Sequence, residues 1–171
     1  MAVGERLLEA PSAHNGKGGF VSDSTAIPSL LFNKSCVTAA DIDNDGDQDL
    51  FVGGLADARQ YGISPSSYLL LNDGGGKFSL APNDIMPLKN LGMVTSASFA
   101  DLNKDGSPDL AVGGEWMPVK IFLNTAGKFT ALDLPLSTGL WQSLLVTDIN
   151  GDGFPDILAG NWGHNSKLYS G

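Results

Sequence analysis

Apolar residues come in short runs along this chain, each closed by polar or glycine-rich residues. Cys36 to Ala40, Leu50 to Gly54, Tyr68 to Asn72, Ser96 to Ala100, Leu110 to Gly114, Val119 to Asn124, Ser143 to Thr147 and Ile157 to Gly160 all read this way. Runs of four to six residues bounded by Gly, Asn, Asp and Pro are strand signals. They recur in order. Strand A enters an Asp-rich stretch, B leaves it, C ends in Asn (Asn72, Asn124), and D follows a Gly-rich turn at Gly76-Lys77-Phe78 or Gly127-Lys128-Phe129. The expected unit is therefore four antiparallel strands, a propeller blade repeated every 47 to 60 residues. The expected organisation is one propeller segment over 1–171, with incomplete blade strands in 1–35, repeat 1 in 36–80, repeat 2 in 94–131 and repeat 3 in 141–171. Small residues in strand A (Thr38, Ala39, Ala40, Ala97, Ser98, Ala100) suit crowding near a propeller axis, and Leu55 to Ser66 reads as a loop inserted between B and C. At the start, Arg6-Leu7-Leu8 reads as the remnant of a strand C and Phe20-Val21 as the start of a D.

The polar stretches between A and B share one frame. Asp41, Asp43, Asp45, Asp47 and Asp49 occupy positions 1, 3, 5, 7 and 9 of the first, with Gly46 at position 6. The second places Asp101, Asn103, Asp105, Ser107 and Asp109 at the same positions around Gly106, and the third Asp148, Asn150, Asp152, Phe154 and Asp156 around Gly153. Five carboxylates in nine residues repel one another unless a cation sits among them. A hard ion such as Ca2+ takes about six to eight oxygens, and short side chains at alternate positions can close on one point. Position 7 varies in chemistry, so its expected ligand is the backbone carbonyl; position 6 must turn sharply, which glycine does without penalty. Position 12 is Val52, Val112 or Ala159 rather than Glu, and strands flank the loops, so these are not helix-loop-helix sites. Asp and Asn also make good β-turns, but three loops in one frame favour up to three Ca2+ ions, with the first loop the strongest.

These loops resemble the Asp-x-Asp-x-Asp-Gly-x-x-Asp repeats of integrin alpha-chain propellers (FG-GAP repeats) and, more closely, bacterial VCBS/FG-GAP-like repeat proteins. Leu50-Phe51-Val52-Gly53-Gly54, Leu110 to Pro118 and Ala159 to Lys167 look like blade segments of that kind. A clear Phe-Gly element and a Gly-Ala-Pro are missing, so integrin ligand specificity does not carry over. The resemblance implies a calcium-binding β-propeller module for recognition or adhesion.

Charge adds to this picture. The net charge is −9, and 11 of the 19 acids lie in the three loops; three dications (+6) would bring −9 to −3. Such a surface is a poor partner for nucleic acid. No apolar run is long enough to insert in a membrane, and the first ten residues lack the apolar centre of a signal peptide. Loops of modest affinity work where calcium is plentiful, so an extracellular, periplasmic or cell-surface setting is expected. Cys36 is a single cysteine and reads as a small buried residue.

The B–C loops face the side opposite the acidic loops. They carry Arg59, Tyr61, Glu115, Trp116, Trp162, His164 and Asn165, a mixture suited to a protein or carbohydrate ligand; packing of the two tryptophans at blade ends is the alternative. His14 and His164 belong to no catalytic arrangement, and Gly74-Gly75-Gly76 lies in a hairpin rather than before a helix. Nothing points to an enzyme; the alternatives are a lectin-like binder or the non-catalytic part of a larger extracellular enzyme. Three units fall short of the roughly four blades of the smallest propellers, so the expected ring is completed by a homodimer, with an exchanged N-terminal strand, or within a longer propeller.

Overall fold

A computed structural model describes residues 12–31, 33–57 and 63–162. It is all-β. Strands β3 (Asn33–Ala40), β4 (Asp49–Ala56), β5 (Tyr68–Asn72) and β6 (Phe78–Leu80) follow a short hairpin of β1 (Ser12–His14) and β2 (Phe20–Ser22). Then come β7 (Met93–Ala100), β8 (Asp109–Met117), β9 (Lys120–Thr125) and β10 (Lys128–Asp133), and last β11 (Gly139–Thr147) and β12 (Asp156–Asn161). The order β3-β4-β5-β6 is one antiparallel meander; β7-β8-β9-β10 is a second, and β11-β12 opens a third. Strands A start slightly before the repeat bounds expected from sequence, at Asn33, Met93 and Gly139. Among the described residues there is no helix, hence none long and apolar enough to cross a membrane.

In the first two units strand B lies between A and C and is covered on both faces, so its sequence is nearly continuously apolar rather than alternating. Asp109 to Gly114 is buried throughout. The main core lies between the first two meanders, with Phe51 at 0% exposure against Val94, Leu110, Phe122 and Phe129. Successive A strands lie against one another, β3 beside β7 and β7 beside β11, which is where the small residues sit. Each A strand carries a bulge, at Ser35, Thr95 and Gln142. The bulge hydroxyl latches adjoining units: Ser35 Oγ donates to the carbonyl of Val94, and Thr95 Oγ1 to that of Trp141 at 2.6 Å.

The segments before strands A were legible only as connections, and they turn out to be wedges. The Phe78 N–H donates to Ala26 O at 2.8 Å in the first unit, and the Phe129 N–H to Ile85 O at 2.9 Å in the second, the same contact repeated. Leu30 closes over Val52 and Leu70, while Met86, Leu88 and Leu91 fill the gap between units one and two. The N-terminal reading changes in one respect. Phe20 to Ser22 is a strand, as expected, but it is already paired within its own chain, with Ser12–His14; Arg6 to Leu8 lie outside the described residues.

Candidate metal centre and the opposite face

Each acidic loop is built before any ion is considered, because its own carboxylates accept its own backbone N–H groups. The position-1 carboxylate spans the turn: Asp41 accepts from Asp45 and Gly46, Asp101 from Asp105 and Gly106, and Asp148 from Gly151 and Gly153. The position-5 carboxylate accepts from position 7 in all three loops. Position 6 takes the left-handed conformation that its glycine permits, with φ of 96° at Gly46 and 88° at Gly106 and Gly153. Position 4 is left-handed too, at Asn44, Lys104 and Gly151. That second requirement escaped the sequence reading, although Asn and Gly there were a usable signal.

Position 9 has a second, structural role. Asp109 is fully buried, and its oxygens accept the N–H of Leu102 at 2.9 Å and of Asn124 at 2.7 Å. Asp49, at 1% exposure, does the same for Ile42 and Asn72. This carboxylate therefore ties the loop entrance to the end of strand C. The Asn that ends strand C then caps the C–D turn, taking the N–H of Gly76 or Gly127 on its carbonyl oxygen. Asn124 also reaches across units, donating to Ile42 O at 2.9 Å.

The first loop gathers its charge in one place. Asp41, Asp43 and Asp49 bring carboxylate oxygens within 4.8 Å of one another. Asp47 Oδ1 is shielded from solvent and has no hydrogen-bond partner, an orphan acceptor beside that cluster. Burial, and then the neighbouring Asp45, Asp43, Asp41 and Asp73, push the Asp47 carboxyl above the usual range. Burial also raises Asp49, against its two N–H donors. A dication there would relieve all of this at once. These residues fit a hard oxygen-ligated ion. In the other two loops the Asn at position 3 instead donates to the position-5 carboxylate, Asn103 to Asp105 and Asn150 to Asp152, so those loops close on themselves. Backbone N–H donors, from Ser107, Gly153 and Phe154 respectively, hold Asp105, Asp148 and Asp152 below the usual carboxylate range. The Phe154 side chain is exposed, with the Lys104 ammonium 5.8 Å from its ring.

On the opposite face, Glu115 and Trp116 border a cavity of about 380 Å³ that also touches Lys120 and Met93. Trp116 is 59% exposed and holds φ at 58°, strained for a bulky residue. Trp162 is 55% exposed but is not among the walls of that cavity. Arg59, Tyr61, His164 and Asn165 lie outside the described residues. A larger groove of about 630 Å³, missed in the sequence, runs between Tyr68, Leu80 and the wedge residues Pro82 and Met86. Only the folding-back of that wedge creates it.

The sequence profile of the FG-GAP-like repeat matches residues 61–112 and 101–159. The chain is 29% identical over 144 residues to integrin alpha-3 of Cricetulus griseus and 28% identical over 144 residues to integrin alpha-3 of Mus musculus. Each alignment covers 74% of this chain and 14% of the relative, so the chain spans about one seventh of the length of those proteins. Integrin alpha-7 of Homo sapiens is 33% identical over 120 residues, 61% of this chain and 10% of its own. With the repeat profile covering more than half of the sequence, this chain belongs to the FG-GAP-like repeat family.

Proposed function

We propose that this chain is a non-catalytic, calcium-binding propeller module that recognises a protein ligand at the cell surface or elsewhere outside the cytoplasm. The convergence of Asp41, Asp43 and Asp49, beside the orphan oxygen of Asp47, carries the metal reading. Asp45 and the carbonyl of residue 47 would complete the ligand set. The equivalent atoms of the loops at 101–109 and 148–156 would bind more weakly, having one carboxylate fewer. Calcium would supply charge neutralisation and fix the A–B turn, with affinity of ~10⁻⁴ to 10⁻³ M or somewhat tighter.

Thermal melts in millimolar calcium and in chelator test this, since an ion that binds only the folded loop must raise the midpoint. An unchanged midpoint would sink the reading. Asp43→Ala should shrink the shift more than Asn103→Ala. Acidification gives a second sign. In calcium-free protein Asp47, Asp49 and Asp109 have raised folded values, so their contribution to stability is full at low pH and lost as pH rises through those values. The groups held low, Asp105, Asp148 and Asp152, lose theirs only below the ordinary carboxylate range. As pH falls from neutrality towards the ordinary carboxylate range, the calcium-free fold should therefore gain stability. The calcium-loaded fold should lose it, because protons displace the ion.

The exposed ring of Trp116, beside Glu115 and Lys120, favours a second reading in which the ligand is a carbohydrate. Trp116→Ala should abolish binding on a glycan or peptide array and leave the calcium-dependent melt nearly intact. A large fall in the melting point instead would return Trp116 to a packing role.

A further inference from the structure

Two peptide planes separate Asp41 from Asp43 in the first acidic loop, and a hydrogen bond pins each of them. The Ile42 N–H donates to Asp49 Oδ2 at 3.2 Å, inside the loop. The Ile42 carbonyl accepts from Asn124 Nδ2 at 2.9 Å, and Asn124 belongs to strand C of the second unit. That carbonyl lies in one rigid plane with the Asp43 N–H, so whatever holds it also sets the direction in which Asp43 leaves the backbone. The buried Ile42 side chain is fixed as well, in the core shared by the first two units with Phe122 and Phe129.

Asn124 is held from every side. It is fully buried; its Nδ2 also reaches Pro108 O at 3.3 Å, its Oδ1 accepts the Gly127 N–H at 2.9 Å, and its own N–H donates to Asp109 Oδ1 at 2.7 Å. Asn72, at the same place in the first unit, makes the corresponding bonds to Gln48 O, from Gly76 and to Asp49. The bond to Ile42 is what Asn124 adds. Hydrogen bonds therefore run without a break from Asp49 through Ile42 and Asn124 to Asp109, joining position 9 of one loop to position 9 of the next. The turn that Asn124 caps abuts the first loop too: a Cβ on Gly127 would lie 3.7 Å from Asp43 Cβ.

We propose that the first cation site is shared between two units: Asn124 is a positioning residue for Asp43, and an ion held by the loop at 41–49 fastens the first unit to the second. This rests on the calcium reading of that loop. The ion and the Asn124 bond hold the same stretch of backbone, so each strengthens the other, by the same factor in both directions. Calcium in the first loop then orders the C–D turn of the neighbouring unit along with its own A–B turn.

Calorimetric calcium titration, at a temperature where both proteins are folded, should show Asn124→Ser binding about three- to tenfold more weakly at the tightest site, the worth of one hydrogen bond. A lower melting point in chelator with that affinity unchanged would make Asn124 structural only and overturn the proposal. No uptake by the unaltered chain would refute the calcium reading itself, and the proposal with it. Amide hydrogen exchange needs no variant. As calcium is added to the unaltered chain, the Gly127 N–H of the second unit should slow in step with Gly46 of the first loop and ahead of Gly106 of its own unit's loop. A Gly127 that follows Gly106, or that does not respond, would overturn the coupling.

Discussion

Asp109→Ala is expected to destabilise the fold by about 3 kcal/mol in chelator, before any calcium is lost. The carboxylate is completely buried and satisfies the N–H groups of Leu102 at the loop entrance and of Asn124 at the end of strand C. Removing it strands the buried Asn124 donor and the part-buried Leu102 donor, at roughly 1–3 kcal/mol each less whatever relaxation and water recover. Against a total stability of about 5–15 kcal/mol this is a large fraction. Asp156→Ala is the internal control. Asp156 occupies the same loop position but is only half-buried and takes the N–H of Ile149, itself exposed, so its loss should cost about 1 kcal/mol or less. Urea titration in chelator measures both. Equal losses would show that the buried hydrogen bonds of Asp109 add nothing beyond those of Asp156, since burial is what separates the two sites.

Gly114→Ala should be more damaging than any loop glycine substitution. A Cβ there would sit 2.2 Å from Met93 O and 2.7 Å from Met117 Sδ. The first obstacle is backbone, held in register against β8, so strand A must separate from strand B. Overpacking of this kind costs about 1–3 kcal/mol and occasionally more, and a backbone clash belongs at the upper end. The neighbouring Gly113→Ala meets only the flexible Leu144 side chain at 3.3 Å and should cost much less. Gly46→Ala meets nothing within 4 Å; its penalty comes from φ of 96° alone, about 1–2 kcal/mol. The order Gly114, Gly46, Gly113 is the expected result of chemical denaturation of the three variants. An intact Gly114→Ala protein of unchanged midpoint would refute the close approach.

Both outcomes turn on residues that were visible early but for incomplete reasons. Asp109 was readable as a metal ligand because oxygen-bearing side chains at alternate positions of a nine-residue loop are a local pattern. Its second partner, Asn124, lies 15 residues on, and only the pairing of β8 with β9 brings the two together. Likewise Gly113-Gly114 was readable as the end of a strand B. Which glycine admits the next unit and which admits strand A could not be seen without the bulge between Val94 and Ser96.

By itself the sequence determined the strands of the first two units, their order there and the acidic loops between A and B. Those features depend on contacts between neighbouring residues or neighbouring strands joined by short turns, where spacing and turn chemistry leave few alternatives. Tertiary structure alone decided how units meet. The segments at Ala26 to Leu31 and Ile85 to Leu91 became wedges because apolar side chains without periodicity take whatever gap is left to fill. It likewise separated Phe51 from Leu158, two large apolar residues at one blade position, by whether another unit covers them. Burial is a property of what lies across a face, and no local pattern records it.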